Sequence, residues 1–275
     1  MGFLPRPRTF GVDAARTAVR RRKKMQFWPA MEALIKPAVQ LFPEWSDNPV
    51  EPVIGSTFFG GIPDFPSSTK WPTRHKIPME HIAQINCADI SALVEGLPAT
   101  GTLNIFFASQ FALDDHSSRC AQVVYSDGTR PLRRCAVPKT PFENDYHDCD
   151  FAPWTYPPSA SMNLTAFASL PLGGTEEVDW TDEAAAAWDA VGHTIAKQLV
   201  PSEVRNEPYD DHRILGYIQQ ADWCGVIERG DMLLLTVDSD GPFQWGDCDA
   251  LHFVIKETDL AAHNFSKVRV YSSLG

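Results

Sequence analysis

Four aspartates, Asp238, Asp240, Asp247 and Asp249, form two Asp-x-Asp pairs. They lie between two apolar runs, Met232–Val237 and Ala250–Ile255. Ca2+ and Mg2+ take carboxylate and carbonyl oxygens, and a loop between two strands can converge several of them on one ion. The spacing is not that of an EF-hand, since the glycine and the bidentate glutamate of that loop are missing. The competing reading is structural: Asp side chains accept backbone N–H bonds in Asx-turns, and Asp is a common turn former, so this reading is favoured.

A second cluster, Asp145, His147, Asp148, Cys149 and Asp150, holds a His and a Cys two residues apart. Zinc would need two more ligands, for instance His116 or Cys135, so a solvated acidic loop is the better reading. His212 would need Cys224 or Cys248 beside it to make a nucleophilic pair, and a lone His next to a strand is more often hydrogen-bonded structure. No Gly-x-Ser-x-Gly elbow, Walker loop or dinucleotide fingerprint is present. The six cysteines, at 87, 120, 135, 149, 224 and 248, form no Cys-x-x-Cys and suit reduced thiols in a cytoplasmic protein. Residues 43–80 are dense in Pro, Gly and Trp; with Trp245 they would either line a groove or wrap a core, pinning Trp45, Phe58, Phe59 and Trp71. The wrap is slightly favoured.

The elements that must position these groups follow from periodicity. Short apolar runs at His81–Asn86, Thr102–Ala108, Ala121–Tyr125, Leu132–Val137, Met232–Val237, Ala250–Ile255 and Val268–Tyr271 predict strands. Met31, Leu34, Ile35, Ala38 and Leu41 predict a helix over Pro29–Leu41, kinked or divided at Pro37. A further helix is predicted over Asp182–Leu199, with Ala184, Trp188, Val191, Ile195 and Leu199 on one face, Thr181 as N-cap and Pro201 as terminator. Residues Thr140–Pro158 read as a long polar loop. Clustered strands with few helices predict a single α+β domain with largely antiparallel pairing. The run from His81 through Phe107 echoes that from Leu233 through Ile255, which raises an internal duplication as a hypothesis.

The net charge of −11 conceals an asymmetry, because residues 1–24 hold eight of the 24 Lys and Arg and one acid, Asp13. This segment reads as a frayed basic tail ahead of a domain over 25–275. The remaining acidic body repels nucleic-acid phosphates and favours solubility or a basic partner. No run approaches the roughly 20 apolar residues of a membrane span, so a soluble protein is expected.

Several motifs occur together in order: GGIPDFP (60–66), KWP (70–72), Ala83-Gln84-Ile85, LPATGTLNIFF (97–107), HRILGY (212–217), LLLTVDSD (233–240), QWGD (244–247) and DLAAHNFSKV (259–268). Over roughly 30–270 the chain resembles the YwqG-like family. It departs at Thr236, where Gln is expected, and in its C-terminal tail. The resemblance implies a single α+β domain without a defined activity, some relatives being similar to immunity proteins of bacterial toxin systems. Together these readings predict a non-catalytic interaction module without a cofactor, binding a basic protein rather than nucleic acid or membrane. The candidate binding residues are Trp71, Gln84, Trp245, Asp238, Asp240 and Asp247. The alternative is a metal-dependent or small-molecule-processing enzyme using the 238–249 loop.

Overall fold

A computed structural model describes residues 11–48, 50–109, 120–138, 157–171, 178–199, 212–218, 227–245 and 248–274. The 145–150 cluster, His116, Cys224, Asp247 and most of the predicted 140–158 loop lie outside the described residues.

The chain begins with helices α1 (Val12–Arg21) and α2 (Trp28–Glu32), then strand β1 (Lys36–Glu44). The short strands β2 (Phe58–Phe59), β3 (Asp64–Pro66), β4 (Thr73–Arg74) and β5 (Ile77–Pro78) lead to β6 (Glu80–Asn86), α3 (Cys87–Ser91), β7 (Thr102–Phe107), β8 (Ala121–Ser126), β9 (Leu132–Arg134) and β10 (Ser161–Ser169). Helix α4 (Asp182–Ala187) runs through a π-helical turn at Trp188–Gly192 into α5 (His193–Leu199). The chain then forms β11 (Arg213–Leu215), β12 (Asp231–Asp238), β13 (Cys248–Lys256), α6 (Glu257–Ala261) and β14 (Arg269–Leu274). The architecture is α+β, with every described strand pair antiparallel.

A six-stranded sheet, β10-β1-β11-β12-β13-β14, faces a four-stranded sheet, β2-β6-β7-β8. Val39, Leu41, Leu235, Val237, Leu251 and Phe253 of the first pack against Ile82, Ile85, Leu103, Ile105 and Phe107 of the second in one buried core. Burying a side chain of this size contributes about 1.5–3 kcal/mol, so this layer dominates cohesion.

The two sheets contain the same unit twice. On β6 and β7 the partners are Glu80↔Phe107, His81↔Phe106, Ala83↔Ile105, Gln84↔Asn104, Ile85↔Leu103 and Asn86↔Thr102. On β12 and β13 the same steps read Met232↔Ile255, Leu233↔Val254, Leu235↔Phe253, Thr236↔His252, Val237↔Leu251 and Asp238↔Ala250. Both ladders carry a bulge at the same step, skipping Ile82 and Leu234. The bulge lets two successive apolar residues, Ile82-Ala83 and Leu234-Leu235, face one core where a regular strand would turn one of them away. The strand before each unit also matches, Phe58 opposing Gln84 and Arg213 opposing Thr236. Each of these strands ends in two left-handed residues, Gly60-Gly61 (φ 65° and 63°) and Leu215-Gly216 (φ 61° and 78°). The fold is therefore an internal duplication, extended on one side by β1 and β10.

Two expectations are corrected. The helix predicted over Pro29–Leu41 stops at Glu32, and residues 36–44 are a strand. Pro37 lacks an N–H and pushes Lys36 out of the helical region. The run after it alternates, Val39 and Leu41 facing the main core and Gln40 the other side. Pro37 precedes the stretch that pairs with β11, so its missing donor breaks no bond there.

The basic segment is not a frayed tail throughout: residues 12–21 are helical, with Ala15 and Val19 fully buried against α5, Trp28 and Met31. Gly11 (φ 86°) allows the close approach, since a Cβ there would lie 2.4 Å from the Gln198 carbonyl oxygen. Gly11→Ala is expected to undock α1 and lower stability by about 1–3 kcal/mol. Urea unfolding, with limited proteolysis at the basic segment, measures both effects.

The helix over 182–199 forms as expected, and the Thr181 hydroxyl caps it by accepting the Ala184 N–H at 3.1 Å. The π-helical turn carries the apolar face past Trp188, which is left half-buried beside the fully packed Ile195 and Leu199.

Candidate functional site

Strand β12 delivers Asp238 to the mouth of the aspartate loop, and there the loop closes on itself. Asp238 is buried; its Oδ1 accepts the Ser239 N–H at 2.8 Å, and its own N–H donates to His212 Nδ1 at 3.1 Å. An Nδ1 that accepts leaves the proton on Nε2, which faces Asp240 Oδ2 at 3.3 Å. The Trp45 indole donates to the same oxygen at 2.6 Å. Burial pushes the Asp240 carboxyl up, but the hydrogen bonds from His212 and Trp45 outweigh it and hold the group below its ordinary value. Beneath the loop, Phe243 stacks on Trp245 at 5.1 Å and meets Trp45 and Phe59 edge-on.

This is an Asp–His pair, yet it is not arranged as a general base. Such a base needs a ring nitrogen within reach of a substrate proton. Both His212 nitrogens are engaged and the side chain is fully buried. The arrangement fixes a loop. Asp240→Ala strands the Trp45 and His212 donors, and is expected to cost about 2–4 kcal/mol in chemical unfolding. Under the enzyme alternative the same variant would retain stability and lose turnover. Asp249 lies on β13, and among the described residues no three His, Cys, Asp or Glu converge as a metal would require.

The two candidate tryptophans are not brought together. Trp71 packs edge-on to Phe106 and donates to the Met79 carbonyl at 2.8 Å. Trp245 packs edge-on to Phe107 and donates to the Val237 carbonyl at 3.1 Å. Phe106 and Phe107 point to opposite faces of β7, so the two indoles do not line a common groove.

Gln84 belongs to a buried polar centre that the sequence reading did not assemble. On the outer face of the four-stranded sheet its amide oxygen accepts the Asp64 N–H at 2.8 Å, and its amide nitrogen donates to Asp64 Oδ2 at 3.0 Å and to the Ser56 carbonyl at 2.9 Å. Asn104, directly across the ladder, donates to the Asp64 carbonyl at 3.2 Å. Asp64 Oδ2 also accepts the Gly55 N–H at 2.8 Å. Arg134 Nε lies 2.8 Å from Oδ1, an ion pair without hydrogen-bond geometry. The segment 55–66 is thus clamped across the sheet.

The second repeat places different groups at the corresponding positions. Gln40, Arg213, Thr236, His252 and Tyr271 form one transverse row over β1, β11, β12, β13 and β14. Thr236 Oγ1 and His252 Nδ1 are 3.0 Å apart. Burial, then the Arg213 charge, pushes the His252 pKa down to about 3, so its ring is neutral at physiological pH. Only alignment of the two repeats would have exposed either centre in the sequence.

Clamping 55–66 also presents what precedes it. Among the described residues, the exposed large apolar side chains are Val50, Val53 and Ile54, 73%, 77% and 54% accessible. They share one loop with the exposed carboxylates Asp47 and Glu51. Arg134 bonds the Pro52 carbonyl at 2.5 Å and approaches Glu51 at 3.5 Å, tying this loop to the Asp64 centre.

Fold and site together define a duplicated α+β sandwich with a buried polar centre on the outer face of each half. The chain belongs to the family described as a domain of unknown function (DUF1963), whose profile matches residues 57–272. No curated protein matches it significantly. Among the described residues, no helix is long and apolar enough to cross a membrane.

Proposed function

We propose that this protein is a non-catalytic interaction module for a basic protein partner, with loop 47–55 as the point of contact. One observation carries the reading: the exposed large apolar side chains described share this single loop, flanked by Asp47 and Glu51 and fastened below by Arg134 and Asp64. Exposed apolar groups inside a polar rim are the anatomy of a protein contact. The net charge of −11 favours capture of a cationic surface by electrostatic steering. Nucleic acid and membrane surfaces, both rich in phosphate, are disfavoured by the same charge.

Within the family, the ordered motifs from GGIPDFP to QWGD support a place among the YwqG-like proteins. Neutralisation of a basic toxin, by a reduced protein in the cytoplasm, is the narrower form of the reading. The closed His212–Asp240 clasp weighs against the enzyme alternative.

The test captures partners on tagged protein from its own host at low salt, with wild type and Val53→Asp/Ile54→Asp side by side. A stoichiometric basic protein, released by salt and lost from the variant, is expected. Equal retention by the variant would remove the loop from the interface. Absence of any salt-released partner would overturn the interaction reading.

A further inference from the structure

Helices α1 and α5 pack antiparallel, Gly11 meeting Gln198 and Leu199, and Lys24 bonding the Ala190 carbonyl at 2.9 Å near the start of α5. Between them lies a groove of about 540 Å³ lined by Asp13, Ala14, Thr17, Ala18, Arg21, Arg22, Thr194 and Gln198. Ala14 and Ala18 line it with small side chains. Its walls carry two guanidiniums, two hydroxyls and an amide, a set rich in donors. Arg20, Arg21 and Arg22 are exposed, and no carboxylate among the described residues pairs with them. One reason for their position is the helix dipole, which favours cations in the last turn of α1. That effect is satisfied by about half a charge, and three consecutive guanidiniums leave a large positive excess.

We propose that this groove is an oxyanion site for a small phosphate-bearing ligand. Arg21 and Arg22 seat the phosphate, since planar guanidiniums pair with it through two parallel hydrogen bonds. Thr17 and Thr194 give direction to what charge alone would leave loose, while Gln198, at the Gly11 end of the groove, is within reach only of the rest of the ligand. Asp13, two turns before Arg21 and about 12 Å away along the axis, sets the polarity, so that the anion lies at the arginine end. A lipid surface is a poorer fit: Ala15 and Val19 are fully buried under the helix, leaving no apolar face to enter a bilayer. The site lies on the helical layer and is independent of loop 47–55.

The probe is inorganic pyrophosphate at low ionic strength, titrated into the whole protein and followed by amide NMR shifts. Saturable changes confined to residues 13–22 and 194–198 are expected. Arg21→Ala/Arg22→Ala, with folding checked by circular dichroism, should weaken binding by about tenfold or more. Thr194→Val should weaken it too, which a diffuse charge effect would not. A response that does not saturate, or that either variant leaves unchanged, would overturn the site. Co-sedimentation with phosphatidylserine vesicles in the absence of a saturable pyrophosphate response would overturn it in favour of a lipid surface.

Discussion

Arg134→Met is expected to destabilise the protein by about 3–5 kcal/mol, because it leaves the Asp64 carboxylate buried without its cation. Asp64 is fully buried, and Arg134 reaches it 2.8 Å away from a largely buried position of its own. The remaining bonds to Asp64, from Gln84 and the Gly55 N–H, are neutral donors and cannot offset the charge. The same substitution frees the Pro52 carbonyl, so loop 47–55 should exchange its amides faster as well. Asp64→Asn is the control. With the charge already removed, Arg134→Met should cost far less, and a double-mutant cycle in urea measures the coupling. Additive losses would show that Arg134 acts through packing on Phe58, which it covers at 5.4 Å.

Glu80→Gln should stabilise the protein above pH 7, by about 3 kcal/mol, and do nothing at pH 4. Burial pushes the Glu80 carboxyl up from 4.5 to about 7, against the lowering effect of its hydrogen bonds with Ser109. With the folded value above the unfolded one, its contribution is complete below pH 4.5 and is lost as pH rises to 7. Glutamine copies the protonated form and removes that loss. The buried histidines act in the opposite direction. Burial holds His81 at about 4, despite the Gly60 and Gly61 carbonyls that its Nδ1–H meets, and His252 at about 3. Their contributions are complete above pH 6.5 and are lost as pH falls towards those values, by about 3 and 5 kcal/mol at most. Wild type should therefore unfold in acid, and urea midpoints at pH 4, 6 and 8 for both proteins test the pair of effects. A Glu80→Gln protein less stable than wild type at pH 8 would contradict the assignment.

Much of this frame was legible in the chain. Strands β6, β7, β12 and β13 combine apolar β-formers with turn residues at both ends, and the helix after Thr181 has a cap and a clean stripe. Local chemistry decides such elements. Up to and along strand β1, Met31, Leu34, Ile35, Ala38 and Leu41 fit a helical period, and only pairing with distant β10 and β11 overrides it. Strand β10, the mixed SMNLTAFAS, and the three-residue β11 carry too little pattern to announce themselves.

The sites divide in the same way. The turn-forming expectation fits Asp238, whose carboxylate accepts the Ser239 N–H, whereas Asp240 is bonded by the Trp45 and His212 side chains instead. Trp45, however, is far from Asp240 in sequence, and nothing local joins them. Gln84 stands out in a local motif, but its partner Asp64 lies twenty residues away. Thr236, a departure from the expected Gln, proves to be the counterpart of Gln84 in the other repeat. Replacing the amide there removes the clamp that Gln84 makes with Asp64, and His252 takes up the shorter hydroxyl.

The position of β1 has a consequence for how the protein is made. The run AVQLF leaves the ribosome before any strand it pairs with, and residues 45–160 must follow before β10 begins. At cellular rates of synthesis that interval is on the order of ten seconds. The first repeat, contiguous from β2 to β8, can close meanwhile and offer its inner face as a template. Until then β1 is an unpaired apolar strand in a nascent chain, the kind of segment that chaperones hold.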